Sequence, residues 1–147
     1  MDLNQACAMS WKLVFPDGYA ALEAEFAQRI SELDMHLQVT SFRNGVWRLI
    51  SLLSNGQLRK NRDLKTIKLI GDGQLFELRF SCLSSERETL GARLFCVLDP
   101  GSQIMTVIGL HAKTDESAET SRANQNAAVL QAWSNHKSRS ANVHRTT

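Results

Sequence analysis

Between Gln74 and Leu110 three apolar segments follow one another so closely that few folds can accommodate them. The first, Gln74 to Ser81, alternates. Leu75, Glu77, Arg79 and Ser81 fall on one side, and Phe76, Leu78 and Phe80 on the other. That two-residue period predicts a half-buried strand. After a polar loop from Ser84 to Thr89, the run Ala92 to Leu98 is more continuously apolar and reads as a central strand. Asp99-Pro100-Gly101-Ser102 is a turn by its chemistry, and the β-branched run Ile104 to Leu110 is the next strand. Upstream, Thr66 to Ile70 is strand-like and Gly71-Asp72-Gly73 is a turn. Consecutive strands with such short connections form an antiparallel meander.

The flanking segments have a helical period. Trp11 to Phe15 reads as a strand that Pro16 stops, and Asp17 is a good helix N-cap. Behind it Tyr19, Leu22, Phe26, Ile30 and Leu33 form one apolar stripe, which predicts an amphipathic helix of about 16 residues. Phe42, Val46, Trp47, Leu49, Ile50 and Leu53 share a face of a second helix, with Asn55-Gly56 as its stop and Gly45 weakening its first turn. Trp11, Trp47 and Trp133 fall on apolar faces and read as core. Asp115 to His136 is helical by composition, with Ala123, Ala127, Val129, Leu130 and Trp133 as its packing side. The prediction is one α+β domain over residues 10–136: an N-terminal strand and helical hairpin packed on a three- to four-stranded antiparallel sheet, with a C-terminal helix. Residues 1–9 are expected to be a loose leader and 137–147 a disordered tail.

Composition narrows the class. With 43% apolar and 22% charged residues in 147, the chain is neither collagen-like nor a disordered polymer. No apolar run approaches the ~20 residues of a membrane span, and residues 1–8 lack the pattern of a secretory signal. Cys7, Cys82 and Cys96 are odd in number and far apart, which argues against a disulfide framework and for a reducing cytoplasm. No Cys-x-x-Cys or His-x-x-x-His pairing suggests a zinc site, so no metal or cofactor is expected. The net charge of +2 is small, but its distribution is not even. From Arg59 to Lys68 five bases (Arg59, Lys60, Arg62, Lys65, Lys68) stand against Asp63 alone. Such a run either is a solvated loop or attracts a phosphate-rich partner.

The stretch from Leu58 to Lys113 resembles the RelE/ParE toxin superfamily, in its HigB-like, phage-type branch. The resemblance rests on the order of Gly56, Lys68-Leu69-Ile70-Gly71-Asp72-Gly73, Leu75-Phe76-Glu77-Leu78-Arg79, Ala92 to Leu98 with its Arg93, and Gly109-Leu110-His111-Ala112-Lys113. With the helices on either side it covers roughly residues 10–134. The chain departs from the family at Ala112, where the first of two adjacent lysines is usual, and at Leu110, where an aromatic is common. The resemblance implies the toxin of a bacterial toxin–antitoxin pair that cuts mRNA on the ribosome without a metal, by attack of a ribose 2′-OH on the adjacent phosphate. It implies Arg79, Arg93, His111 and Lys113 as catalytic residues, with Arg59, Lys60, Arg62, Lys65 and Lys68 facing RNA. That chemistry needs a base, an acid and cations for the developing phosphorane charge. Implied partners are the ribosome, mRNA and a cognate antitoxin of helix-turn-helix type. Two other outcomes belong to the same fold: a ParE-like inhibitor of DNA gyrase, and a catalytically degenerate prophage binding module.

Overall fold

The computed structural model describes residues 1–29, 35–70, 75–83, 89–113 and 118–146, without the side chains of 35, 36, 113, 118 and 142–146. Its elements are α1 (Leu3–Ala8), β1 (Lys12–Val14), α2 (Tyr19–Arg29), α3 (Met35–Ser54), β2 (Leu64–Thr66), β3 (Leu75–Leu83), β4 (Thr89–Asp99), β5 (Ile104–Lys113) and α4 (Ala118–Thr146). The α+β class is the one the sequence predicts. β2, β3, β4 and β5 form the antiparallel meander, and β1 adds to β5 in parallel, giving one five-stranded mixed sheet in the order β1-β5-β4-β3-β2. Among the described residues no helix is long and apolar enough to cross a membrane.

Helices cover both faces of the sheet. On one face Phe26 of α2 and Phe42, Val46, Leu49 and Leu53 of α3 pack with Phe76, Leu78, Phe80, Leu94 and Leu110. The Phe26 and Phe42 rings stack at 4.2 Å between centroids. On the other face Val129 and Ala132 of α4 pack with Ile67, Leu75 and Phe95. This double cover corrects the reading of β3 as half-buried: Leu75, Phe76, Glu77 and Leu78 are all buried.

The helix boundaries follow from local chemistry. α3 ends in a Schellman motif, in which Gln57 N–H donates to the Leu52 carbonyl at 2.9 Å and Gly56 N–H to that of Leu53 at 3.4 Å. Gly56 has φ +64°, and a Cβ there would meet the Ala8 carbonyl oxygen at 2.6 Å, so both conformation and space select glycine. Several expectations need correction. Residues 1–9 are not a loose leader. Asp2 and Gln5 form a reciprocal capping box on α1, Ala6 and Cys7 are buried, and Trp11 Nε1 donates to the Ala6 carbonyl at 2.7 Å. Residues 137–146 are not a disordered tail either, because α4 runs on to Thr146 and Arg139 makes a two-pronged contact with Asp17, at 2.9 and 3.1 Å. Asp17 therefore binds Arg139 and is not seen capping α2. The strand expected at Thr66–Ile70 spans only Leu64–Thr66. Trp47 is not core but 62% exposed, since α3 turns Val46 and Leu49 inward and leaves Trp47 on its outer side. Ile30, Leu33 and the Gly71-Asp72-Gly73 turn lie outside the described residues.

Gly45 has a reason that periodicity does not reveal. The Phe80 ring lies against it, so that a Cβ at position 45 would stand 2.3 Å from the ring. Alanine is the better helix former by about 1 kcal/mol, but overpacking a filled core costs about 1–3 kcal/mol. Gly45→Ala is therefore expected to lower stability in chemical denaturation; a stabilised variant would show that the ring moves aside at little cost.

Candidate functional site

The polar site is built on one transverse row of the sheet. Arg79 of β3 stands directly opposite Arg93 of β4, and Arg93 directly opposite His111 of β5. Residues paired in this way project to the same face, here the face that α4 covers. A β-bulge decides His111's place in the row. Phe95 pairs with Gly109 but Cys96 with Val107, so Ile108 is the extra residue and the strand changes parity. Met105 and Val107 before the bulge, and Leu110 and Ala112 after it, consequently all enter the larger core, and His111 falls opposite Arg93.

α4 covers this face only in part. A Cβ at Gly109 would lie 2.6 Å from the Ala132 Cβ, so the helix sits directly on the strand there. Nearer its N-terminus, Gln125 Nε2 donates to Glu77 Oε2 at 2.9 Å. The next polar positions along β3 and β4, Arg79 and Arg93, line an open cleft.

The turn before β2 forms the rim of this cleft. Asp63, only 1% exposed, accepts hydrogen bonds from Arg59 N–H at 2.8 Å, Nε at 3.0 Å and Nη2 at 3.1 Å. Arg48 of α3 approaches the same carboxylate at 3.7 Å. Burial alone would raise the Asp63 pKa, but the Arg59 hydrogen bonds and the charges of Arg59 and Arg48 hold it below the ordinary aspartate value. Asn61 has the left-handed φ of 63°, which asparagine tolerates better than most residues. Its carbonyl accepts from Arg79 Nη1 at 3.2 Å, while Arg79 N–H donates to the Asp63 carbonyl at 2.8 Å. The turn is thus fastened to β3 through Arg79.

The result is an anion-attracting cleft of ≈ 630 Å³, in which Arg48, Arg59, Arg62, Arg79 and Arg93 face the single carboxylate of Asp63. Its arginines are held unequally. Arg48 and Arg59 pair with Asp63, and Arg79 lies 3.7 Å from Glu77. Among the described residues neither Arg62 nor Arg93 forms an ion pair. Arg93 Nη1 donates to the Ala92 carbonyl at 3.1 Å, and its guanidinium extends over Gly91, where a Cβ would lie 3.2 Å away. Burial, followed by the charge of Arg79, lowers the Arg93 pKa below the usual guanidinium value, against an opposing pull from Glu77. Glu77 is buried, and that burial raises its pKa despite the attraction of Arg93, Arg79 and Lys65.

Of the residues predicted from sequence, Arg59, Arg62, Arg79 and Arg93 come together in the cleft. His111 shares their row but is only 8% exposed and does not line the cleft. Lys113 ends β5 opposite Gly91, and its side chain lies outside the described residues. Lys60, Lys65 and Lys68 are exposed outside the lining that holds Arg59 and Arg62; Lys65 is the cross-strand partner of Glu77. Sequence reasoning missed Arg48, Asn61, Ser81 and Gly91. Arg48 could be found only through Gly45, three residues earlier, whose contact with Phe80 turns that side of α3 toward β3. Among the described residues no group of His, Cys, Asp and Glu side chains is placed to hold a metal ion.

No protein-family model matches the chain, and it matches neither a curated protein nor a solved structure.

The buried Asp63 carboxylate gives a pH prediction. Its folded-state pKa lies below its unfolded value, so its stabilising contribution is present above about pH 4 and is lost as pH falls through the lower folded-state value. Asp63→Asn is expected to cost about 1–3 kcal/mol at neutral pH and to flatten the acid side of the stability profile. Urea denaturation of both proteins across the acidic range checks this; parallel profiles would remove Asp63 as the cause.

Proposed function

We propose that this chain is the toxin of a bacterial toxin–antitoxin pair and acts in the cytoplasm as a metal-independent endoribonuclease on ribosome-bound mRNA. The observation that carries the reading is the direct opposition of Arg79 and Arg93 on an open cleft rimmed by three further arginines. Two guanidinium groups side by side present several N–H donors to the non-bridging oxygens of a phosphodiester, and Arg48, Arg59 and Arg62 extend the positive field along a chain of phosphates. In the proposed reaction a 2′-OH oxygen bonds to the neighbouring phosphorus and gives its proton to a base. The bond from phosphorus to the 5′-oxygen breaks, and that oxygen takes a proton from an acid. The products are a 2′,3′-cyclic phosphate and a 5′-OH. The arginine pair would stabilise the extra charge of the pentacoordinate phosphorus. His111 and Lys113 are the candidates for proton transfer, on the strength of the RelE-like resemblance and of His111's place opposite Arg93. An antitoxin would oppose the cleft with acidic or amphipathic surface, which fits its charge.

A second reading has an observation in its favour. His111 is buried and outside the cleft lining, so the described part of the cleft is rich in cations and poor in groups that transfer protons. That arrangement suits a protein that binds a polyanion or an acidic partner without cutting it, as in the gyrase-inhibitor and binding-module readings.

Induction of the gene in a bacterial host, with mapping of mRNA 5′ ends, separates these readings. New ends inside translated codons are expected. Arg79→Ala or Arg93→Ala is expected to reduce them by about 10²–10³-fold, the usual effect of removing one donor to a developing oxyanion. Growth arrest without new ends would favour binding to gyrase or another target, and absence of arrest would favour the binding module.

A further inference from the structure

The anion cleft and helix α4 are joined by one continuous line of polar contacts. Gln125, on the side of α4 facing the sheet, donates to Glu77 Oε2 at 2.9 Å. The other carboxylate oxygen, Oε1, is 3.7 Å from Arg79 Nε, too far for a hydrogen bond but within ion-pair range. Arg79 Nε is itself buried and makes no hydrogen bond, so the Glu77 carboxylate is its electrostatic counterpart. At the far end of the guanidinium, Nη1 is fastened to the Asn61 carbonyl at 3.2 Å. Arg79 is therefore gripped at two points, by the rim turn and by a carboxylate that α4 holds in place. Arg93, directly opposite, has no such grip and repels Arg79.

We infer that Gln125 and Glu77 are positioning residues, through which the docking of the C-terminal helix aims Arg79 into the cleft. The inference rests on the reading of the cleft as an RNA-phosphate site. Arginine is long and loses much rotameric freedom when it is ordered. A guanidinium restrained before the anion arrives loses less freedom on binding than a loose one, and so binds more tightly. A carboxylate beside an anion site has the opposite direct effect. Its charge repels the ligand, so its removal on electrostatic grounds alone should tighten binding. The two roles of Glu77 thus predict opposite signs, which makes the proposal testable. Gln125 carries no charge, so its removal takes away the restraint without taking a charge from the cleft.

The experiment measures the affinity of full-length protein for an uncleavable 2′-O-methyl RNA oligonucleotide at fixed salt. Proteins compared are wild type, Glu77→Gln, Gln125→Ala, Arg79→Ala and the double variant Gln125→Ala with Arg79→Ala. Thermal melting confirms that each is folded. Gln125→Ala and Glu77→Gln are expected to weaken binding by about three- to tenfold, the scale of coupling between contacting residues. In the Arg79→Ala background the loss of Gln125 should change affinity by less than about twofold. Unchanged or tighter binding by Glu77→Gln, or an equal loss from Gln125→Ala with and without Arg79, would overturn the proposal. If Glu77→Gln does not fold, the Gln125→Ala cycle decides alone. A second readout needs no RNA. The Nε–H resonance of Arg79 is expected to be resolved in wild type and to collapse toward the averaged position of free arginine in Gln125→Ala, with that of Arg93 little changed. Absence of RNA binding by wild type would count against the proposed function; an Arg79 resonance unmoved by Gln125→Ala would count against this inference.

Discussion

Arg79 and Arg93 face each other across two central strands, and like charges in that position repel. Neither can withdraw far, because both lie on strands whose other face is filled by apolar core. Much of the polar structure nearby answers this one constraint. Glu77, one pleat away on the same strand and face, supplies negative charge to both arginines. The Asn61 carbonyl takes one end of Arg79. Gly91 leaves room for the Arg93 side chain. The cleft is open, so solvent screens what the protein does not neutralise. A phosphate placed between the two guanidinium groups would relieve the repulsion directly.

Two buried carboxylates divide the neutralising work. Asp63 holds Arg48 and Arg59 and closes the rim turn, and Glu77 holds Arg79 with help from α4. Their pKa values move in opposite directions for a physical reason. Asp63 receives three hydrogen bonds from Arg59, which together with the charges of Arg59 and Arg48 outweigh its burial. Glu77 receives one from a neutral amide and keeps its cations at ion-pair distance or beyond, so its burial dominates. The rim turn is therefore an anchor that acidification loosens, whereas Glu77 gains no stability from its charge at the same site.

α4 has two roles in the architecture. It converts the sheet from one-sided to two-sided, which is why Leu75 and Glu77 are buried on the face where the alternation of β3 predicted solvent. It also sets the edge of the cleft, because the arginines begin where its cover ends. Polar contacts tie it to the body at two places, Gln125 with Glu77 and, further along, Arg139 with Asp17 before α2.

The family resemblance named Arg79 and Arg93, whereas the α+β class, the meander, the helical hairpin with its glycine stop, and the basic run that holds Arg59 and Arg62 were legible in the order of the residues. These are local properties. Two- and four-residue periods, turn chemistry and clustering of charge are written in neighbouring residues. The tertiary structure alone decided the rest. The leader became α1, with Ala6 and Cys7 buried in the main core and the Trp11 indole donating to the Ala6 carbonyl. Periodicity placed Trp47 on an apolar face, but α3 packs on the sheet through Val46 and Leu49 and leaves Trp47 outside. Arg48 joined the cleft through a helix–strand approach that Gly45 and Phe80 permit. His111 would have pointed into the larger core had β5 kept a strict alternation from Met105; the bulge at Ile108 reversed its side and set it opposite Arg93. Alternation fixes which residues share a face only along an unbroken strand, and where that strand slips by one residue is settled by what packs on it from distant parts of the chain.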